Sequence, residues 1–117
     1  MKNLIASLII LLTLSACGGD KASSDEPLSS WLAQGVLIDS RTLGEFNQGH
    51  LDRAILVPND QLSRRIATLA PTKDTPILLY CQSGGRAGTA EKMLRKMGYT
   101  KVKNLGGIRQ ARRALAN

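Results

Sequence analysis

The chain is organised around one short segment, Tyr80-Cys81-Gln82-Ser83-Gly84-Gly85-Arg86-Ala87-Gly88. An apolar run at residues 77–80 stops at Cys81, and a helical pattern opens at Arg86 and continues to Met97. This order predicts a strand, a tight loop and the start of a helix, with a thiol on the first loop residue. Backbone N–H groups in such a loop form an anion site, and the helix N-terminus adds its dipole. We therefore expect Cys81 to be held as a thiolate, the reactive form of cysteine.

Two glycines within this loop favour an unusual backbone. Gly84 and Gly85 suit conformations that side chains would forbid. The remaining loop residues are small or polar, which makes the loop a poor place to bury a cysteine as a hydrophobic side chain. We therefore expect Cys81 to be used chemically.

The N-terminal residues predict export and lipidation. Residues 1–16 contain one early Lys2 and an apolar core that is too short for a bilayer span, which is typical of a signal peptide. Leu14-Ser15-Ala16-Cys17 resembles the bacterial lipobox, which implies cleavage after Ala16 and a diacylglyceryl thioether on Cys17. Gly18 follows the cysteine in place of Asp, which by analogy with lipoprotein sorting favours the outer membrane. An uncleaved signal anchor is the alternative.

These features divide the chain into three parts. Residues 1–16 are the predicted signal peptide, residues 17–27 a lipidated, flexible tether of small and polar residues, and residues 28–117 the folded domain. Two cysteines in an exported chain would ordinarily indicate a disulfide. If Cys17 carries lipid, Cys81 has no partner and remains a free thiol in an oxidising compartment.

The net charge of +7 is unevenly distributed. Residues 18–85 contain six basic and eight acidic residues, whereas residues 86–117 contain nine basic residues and Glu91 as the one acidic residue. The chain has a single Phe and lacks the interleaving of basic and aromatic residues that nucleic-acid binding favours. We expect a solvated basic face that attracts small anions toward the loop or lies near an anionic membrane, and no nucleic-acid partner.

Short apolar runs alternate with helical patterns along the domain, which indicates an α/β fold: a small parallel sheet with helices on both faces. The predicted strands are residues 36–39, 54–57, 77–80 and 102–105, and the predicted helices are residues 28–34, 42–48, 59–69, 86–97 and 108–116. Thr42 and Glu45 have capping-box spacing. Ser29 or Ser30, and Asn59 or Asp60, are candidate caps of their helices. Ligands in such sheets lie beyond the carboxyl ends of the strands, where Asp39 and Cys81 are found.

In combination, the motifs along the chain resemble those of a single-domain rhodanese. They are Asp39-x-Arg41, Glu45, Gly49-His50-Leu51, Ala54, Pro58, Cys81-x-x-Gly84-x-Arg86, Gly98-Tyr99, Val102 and Asn104-Leu105-x-Gly107. Two positions depart from the family pattern. Arg53 stands where the family usually has Gly, which strains a turn, and Ala111 lies where an aromatic residue is common.

The resemblance implies a rhodanese fold and thiosulfate sulfurtransferase activity, with Cys81 as the catalytic residue. The Cys81 thiolate would take the sulfane sulfur of thiosulfate or a persulfide donor and pass it to a thiol or cyanide. The residues expected to bind the anionic sulfur are Gln82, Ser83, Gly84, Gly85, Arg86 and Ala87. One thiol and one His make a poor metal site, so we expect no metal, and we expect no cofactor. We also expect the domain to be a monomer.

Three other functions remain open. Cys81 and His50 could form a hydrolase dyad, although a structural hydrogen bond is the favoured role of His50. Phosphatases and arsenate reductases also place a cysteine before an arginine, but six positions apart, whereas Cys81 and Arg86 are five apart. A non-catalytic lipoprotein that uses the rhodanese fold for binding is the third alternative.

The arginines of these motifs each have two interpretations. Arg86 either attracts the substrate anion or pairs with Asp39 or Glu45 to hold the loop. Arg41 has the i, i+4 spacing to pair with Glu45, and structural pairing is favoured for Arg41, Glu45 and Asp39.

Overall fold

The computed structural model describes residues 25–116. The predicted signal peptide, Cys17 and most of the predicted tether lie outside the described residues. Five helices, α1 to α5, and four strands, β1 to β4, follow in the predicted order. The helices are Leu28–Gln34, Leu43–Asn47, Asn59–Leu69, Gly85–Lys96 and Ile108–Leu115, and the strands are Val36–Asp39, Ile55–Leu56, Ile77–Cys81 and Val102–Gly107.

The four strands form one parallel sheet in the order β2-β1-β3-β4. β3 lies between β1 and β4, and all five of its residues are buried. Parallel strands need crossover connections, and helices provide them here. The carboxyl ends of the strands therefore meet at one edge of the sheet, and the predicted α/β fold is confirmed.

The alternation of side chains along β3 divides the core into two clusters. Leu79 and Cys81 pack with Leu62 and Leu94, which belong to α3 and α4. Leu78 and Tyr80 point to the opposite face and pack with Trp31 of α1 and Ala111 of α5. Both faces of the sheet are thus covered by helices, which explains why the strands contain continuous apolar residues.

Two strand boundaries differ from the prediction. β2 contains only Ile55 and Leu56, half the predicted length. β4 continues two residues beyond the predicted end at residue 105, to Gly107, because Gly107 pairs with Cys81 across an irregularity in the ladder.

The helix caps agree with the prediction in one case only. Thr42 and Glu45 form the predicted capping box, with the Glu45 N–H donating to Thr42 Oγ1 at 3.2 Å. The predicted serine cap of α1 and the Asn59 or Asp60 cap of α3 are wrong, since Pro27 and Pro58 hold those positions without a side-chain cap. Asn59 instead donates from Nδ2 to the carbonyl of Arg86 at 2.8 Å.

Arg53 adopts a left-handed backbone conformation, with φ at 69°. It is the one non-glycine residue between 25 and 116 with a positive φ. This is the position where the family resemblance implied a strained turn. A Cβ atom crowds the neighbouring carbonyl in this region of backbone conformation. Across the same described range, no helix is long and apolar enough to cross a bilayer.

We expect the substitution Arg53→Gly to stabilise the domain. Relief of the strained φ favours glycine by about 1–2 kcal/mol, and the greater freedom of glycine in the unfolded chain offsets about half of this. Thermal denaturation should therefore show an increase in Tm that corresponds to about 0.5–1 kcal/mol.

Arg53→Ala provides the matched control, because it removes the side chain and keeps the Cβ. We expect its Tm to stay at or below that of the wild type, since the Arg53 Nη2 contact to the Leu32 carbonyl is long, at 3.5 Å. Equal stabilisation by both substitutions would show that the backbone conformation is not the cause.

Candidate active site

Cys81 is the last residue of β3 and lies at the carboxyl edge of the sheet. Its side chain is fully buried, and Sγ accepts a hydrogen bond from the Gly84 N–H at 2.9 Å. Only Gln82, Ser83 and Gly84 separate it from the first residue of α4. The structure therefore places the thiol beneath a three-residue loop that leads directly into a helix N-terminus.

The backbone of this loop depends on glycine at two places. Gly84 has φ at 100°, in the left-handed region. A Cβ atom on Gly107 would lie 2.7 Å from the carbonyl oxygen of Gln82, so the loop rests directly on the end of β4. Asn104 also holds the loop, since Nδ2 donates to the Gly84 carbonyl at 3.3 Å.

The expectation for Gly85 is wrong. Gly85 begins α4 without a positive φ, and a Cβ atom there would contact nothing within 4 Å. A helix start follows the ordinary right-handed conformation, which any residue adopts. Only the first of the two loop glycines is therefore required by the backbone.

The amide groups near Cys81 divide into two sets. Within residues 25–116, the Gly84 N–H is the one group that donates a hydrogen bond to Sγ. The first N–H groups of α4 belong to Gly85, Arg86 and Ala87, and such groups lack acceptors within their own helix. They remain available to an anion at this end of the sheet.

Arg86 forms a two-bond ion pair with Glu45 of α2. Its Nη1 and Nη2 donate to Glu45 Oε1 and Oε2 at 2.8 and 2.9 Å. Hydrogen bonds from Arg86 lower the pKa of Glu45 from 4.5 to about 2, and the same contact raises the pKa of Arg86. The guanidinium is thus engaged in holding the start of α4 against α2.

Arg41 pairs with Asp39, so its predicted pairing with Glu45 is wrong. Asp39 is fully buried, and its two carboxylate oxygens accept from Arg41 Nε and Nη2 at 2.7 to 3.1 Å. These hydrogen bonds raise the pKa of Arg41. Arg41 also donates to the Gly49 carbonyl at 2.7 Å and to Gln82 Oε1 at 3.1 Å, which ties the residue after Cys81 to the end of β1.

His50 makes structural contacts away from the thiol. Its ring stacks on Phe46, with centroids 3.7 Å apart, and Nδ1 lies 3.0 Å from the Phe46 carbonyl oxygen. These contacts agree with a structural role and give no support to a dyad with Cys81. In the described part of the chain, no group of three or more His, Cys, Asp and Glu side chains is placed to hold a metal ion.

Three contacts of the site were not foreseen from the sequence. They are the Arg41–Gln82, Asn59–Arg86 and Asn104–Gly84 hydrogen bonds. Asn104 was part of the family motif, so its position could have indicated a contact with the loop. Asn59 carried only a helix-cap signal, which pointed to a different role.

Comparison with known proteins connects this geometry to one family. A sequence profile of the rhodanese-like domain matches residues 24–114. The chain is 39% identical over 72 residues to the thiosulfate sulfurtransferase PspE of Escherichia coli K12, covering 62% of this chain and 69% of that protein. It is also 36% identical over 87 residues to the tRNA uridine(34) hydroxylase of Erwinia tasmaniensis, covering 69% of this chain but only 25% of that protein.

Solved structures from the same comparison are also similar to this fold. A rhodanese with anions from E. coli has a TM-score of 0.63 and 37% identity, covering 65% of this chain and 89% of that one. The human single-domain sulfurtransferase TSTD1 has a TM-score of 0.60 and 26% identity, covering 74% of this chain and 89% of that one.

We expect Glu45→Gln to destabilise the domain at neutral pH by about 1 kcal/mol, after allowance for the partial exposure of the pair. Glutamine keeps the capping-box acceptor, so the substitution isolates the charge. In the folded protein the pKa of Glu45 is lowered to about 2. The stabilisation of the domain by the ion pair is therefore complete above pH 4.5 and is lost as pH falls toward 2. Thermal denaturation from pH 7 to pH 2 should show the Tm difference from wild type shrinking below pH 4.5.

Glu91→Gln is the matched control, since Glu91 pairs with Arg95 at 3.3 Å on the exposed surface of α4. Its effect should stay below about 0.5 kcal/mol at every pH. A Glu45→Gln difference that persisted unchanged at pH 2 would contradict the role of the ion pair.

Proposed function

Because this chain belongs to the rhodanese family, we propose that it is a sulfurtransferase that carries sulfur on Cys81. One observation carries the proposal. A buried thiol sulfur at the carboxyl end of β3 accepts a backbone N–H at 2.9 Å and lies beside the N-terminus of α4. Oriented amide dipoles at such a position stabilise an anionic sulfur.

The first half-reaction loads the enzyme. The Cys81 thiolate attacks the outer sulfur of thiosulfate and forms a new S–S bond. The bond between the two sulfur atoms of thiosulfate breaks, and its electron pair leaves with sulfite. The product is a Cys81 persulfide whose terminal sulfur is anionic. The first N–H groups of α4, from Gly85 to Ala87, are the donors proposed to bind it.

The second half-reaction returns the enzyme to its starting state. A thiolate or cyanide attacks the outer sulfur of the persulfide, and the S–S electron pair returns to Cys81. No proton transfer is required when both nucleophiles are anions, so His50 needs no part in the chemistry. Arg86, held by Glu45, acts in this mechanism as a brace for the loop.

The contacts between Arg86 and Glu45 disfavour phosphatase activity. An oxyanion would need a free guanidinium, whereas both terminal nitrogens of Arg86 already bind Glu45. The five-residue interval from Cys81 to Arg86 also leaves a shorter loop, which suits a single sulfur atom.

The mass of Cys81 tests the proposal directly. We expect treatment with thiosulfate to increase the mass of the Cys81-containing peptide by one sulfur atom, and cyanide to remove it. Cys81→Ser should show no gain. An unmodified mass in a correctly folded wild-type protein would support the non-catalytic binding function, and faster turnover of an aryl phosphate than of thiosulfate would support a phosphatase.

Two glycine variants extend this experiment. Gly84→Ala places a Cβ on a residue with φ at 100°, so it should displace the N–H donor and slow loading by about tenfold, as expected for loss of one charge-assisted hydrogen bond. Gly85→Ala meets no steric obstacle and should load at the wild-type rate. Equal loading by both variants would mean that the Gly84 N–H does not stabilise the reacting sulfur.

We further propose that the domain faces the periplasm from a lipid anchor on Cys17, with the outer membrane favoured. The lipobox resemblance and the residue after Cys17 support this location. Cys17→Ser should abolish lipid labelling and move the chain from the membrane fraction to the soluble fraction. Continued labelling of the variant would contradict lipidation at Cys17.

A further inference from the structure

Asn59 connects α3 to the helix that follows the Cys81 loop. It is the first residue of α3, and its Nδ2 donates to the carbonyl oxygen of Arg86 at 2.8 Å. Helices α3 and α4 cover the same face of the sheet, and the Cys81 side chain packs on that face. Asn59 therefore contacts the first turn of α4 on the side of the sheet that holds the thiol.

The carboxamide of Asn59 is held in an orientation that leaves one of its atoms unpaired. Its Oδ1 is the one buried side-chain nitrogen or oxygen between residues 25 and 116 that has no hydrogen-bond partner. Such an atom destabilises a fold and calls for an explanation. The reverse orientation would place Oδ1 against the Arg86 carbonyl, so that two acceptors faced each other. The unpaired oxygen is thus a consequence of directing Nδ2 at that carbonyl.

The Arg86 carbonyl accepts two hydrogen bonds. Its helical donor in the first turn of α4 is the N–H four residues later, that of Ala90, and Asn59 supplies the second donor. A carbonyl oxygen has two lone pairs and accommodates both. Hydrogen bonds to a carbonyl polarise its peptide group, which makes the N–H of the same peptide a stronger donor. In this peptide the N–H belongs to Ala87.

The Ala87 N–H is a buried donor without an acceptor. Ala87 is fully buried and packs in the same cluster as Cys81. Its N–H forms no hydrogen bond with any residue from 25 to 116, whereas nearly all buried backbone groups are paired. Because a trans peptide is planar, its N–H and C=O point in opposite directions. With the carbonyl directed along α4, this N–H points back toward the loop that follows Cys81.

We infer that Asn59 is a positioning residue for sulfur transfer: it holds the Arg86–Ala87 peptide so that the Ala87 N–H donates to the outer sulfur of the persulfide. The inference rests on the function proposed for Cys81. The Gly84 N–H already binds Sγ, and the outer sulfur lies about 2 Å beyond Sγ, where another donor is needed. Asn59 forms no hydrogen bond with Sγ and acts through the peptide that it holds.

The step that this contact favours is the loading of Cys81. A bond forms between Sγ and the outer sulfur of thiosulfate, the sulfur–sulfur bond of thiosulfate breaks, and its electron pair leaves with sulfite. The negative charge on the protein thereby moves from Sγ to the outer sulfur. A donor aimed at the outer sulfur therefore stabilises the loaded protein more than the free thiolate.

Asn59→Leu tests this assignment, because leucine has nearly the shape of asparagine and no polar side-chain atoms. Full-length protein is equilibrated with thiosulfate and sulfite at fixed ratios, and the persulfide fraction of the Cys81-containing peptide is measured by mass spectrometry. We expect Asn59→Leu to lower the equilibrium constant for loading about fivefold, as for the weakening of one hydrogen bond to an ionised group. Alkylation of unloaded Cys81 by iodoacetamide should keep its wild-type rate, because the Gly84 N–H on Sγ is unchanged.

The amide proton of Ala87 gives a direct spectroscopic measurement. In the NMR spectrum of the wild type it should move downfield when Cys81 is loaded, because it then donates to an anionic sulfur. The same shift should be smaller in Asn59→Leu.

Stability distinguishes a positioning role from a purely structural one. Leucine removes the hydrogen bond and the unpaired Oδ1 together, and the Arg86 carbonyl keeps its helical donor, so Tm should stay close to that of the wild type. Asn59→Ala is a second variant that adds no bulk beside the loop, and it should weaken loading to a similar extent. Asn47→Leu makes the same chemical change at an exposed residue of α2 whose side chain forms no hydrogen bond within residues 25–116, and it should load as the wild type does.

The outcomes separate the two proposals. If wild-type Cys81 does not load, the sulfurtransferase function fails and this inference fails with it. If the wild type loads and the folded Asn59 variants reach the same equilibrium, only the inference is overturned. It is also overturned if alkylation slows as much as loading weakens, because Asn59 would then support the loop as a whole, or if Asn47→Leu weakens loading equally.

Discussion

The close approach of two backbone segments at Gly107 is the constraint on which the candidate site depends. A Cβ atom at this position would lie 2.7 Å from the carbonyl oxygen of Gln82, so only glycine lets the loop rest on the end of β4. The contact pairs Gly107 with Cys81 and sets where β3 ends. Because α4 starts only four residues after Cys81, the position of the thiol relative to the helix N-terminus follows from this contact.

Two ion pairs also hold the loop. Arg86 binds Glu45 across the gap between α4 and α2, and Arg41 binds the fully buried Asp39 while also reaching Gln82. Guanidinium groups suit this task because their donors are planar and fixed in direction. Arg41 and Arg86 are therefore both engaged in ion pairs that hold the loop.

The uneven distribution of charge along the chain corresponds to a separation of charge in the fold. The N-terminal half of the domain supplies Asp39 and Glu45, which are used in ion pairs with arginines. The C-terminal half supplies basic residues in excess, and those on α5 lie at the surface beside the loop. Such an arrangement produces a positive potential next to the reactive sulfur, which is favourable for a domain whose proposed substrates are anions.

The local signals of the sequence determined the strand, loop and helix around Cys81 and the capping box at Thr42. These features depend on residues within a few positions of one another, so periodicity and residue type are sufficient to predict them. The α/β order of elements followed from the same signals. The family resemblance added Cys81 as the reactive residue, which remains a prediction.

The tertiary structure alone decided which distant partner Glu45 takes and how far β4 extends. Arg41 had Glu45 at helical spacing, yet it binds Asp39, while Glu45 binds Arg86 from 41 residues away. The Glu45–Arg86 pair depends on the approach of α2 and α4 in the fold, which no local spacing encodes. The same is true of the extension of β4 to Gly107, because it depends on pairing with Cys81, which is distant in sequence.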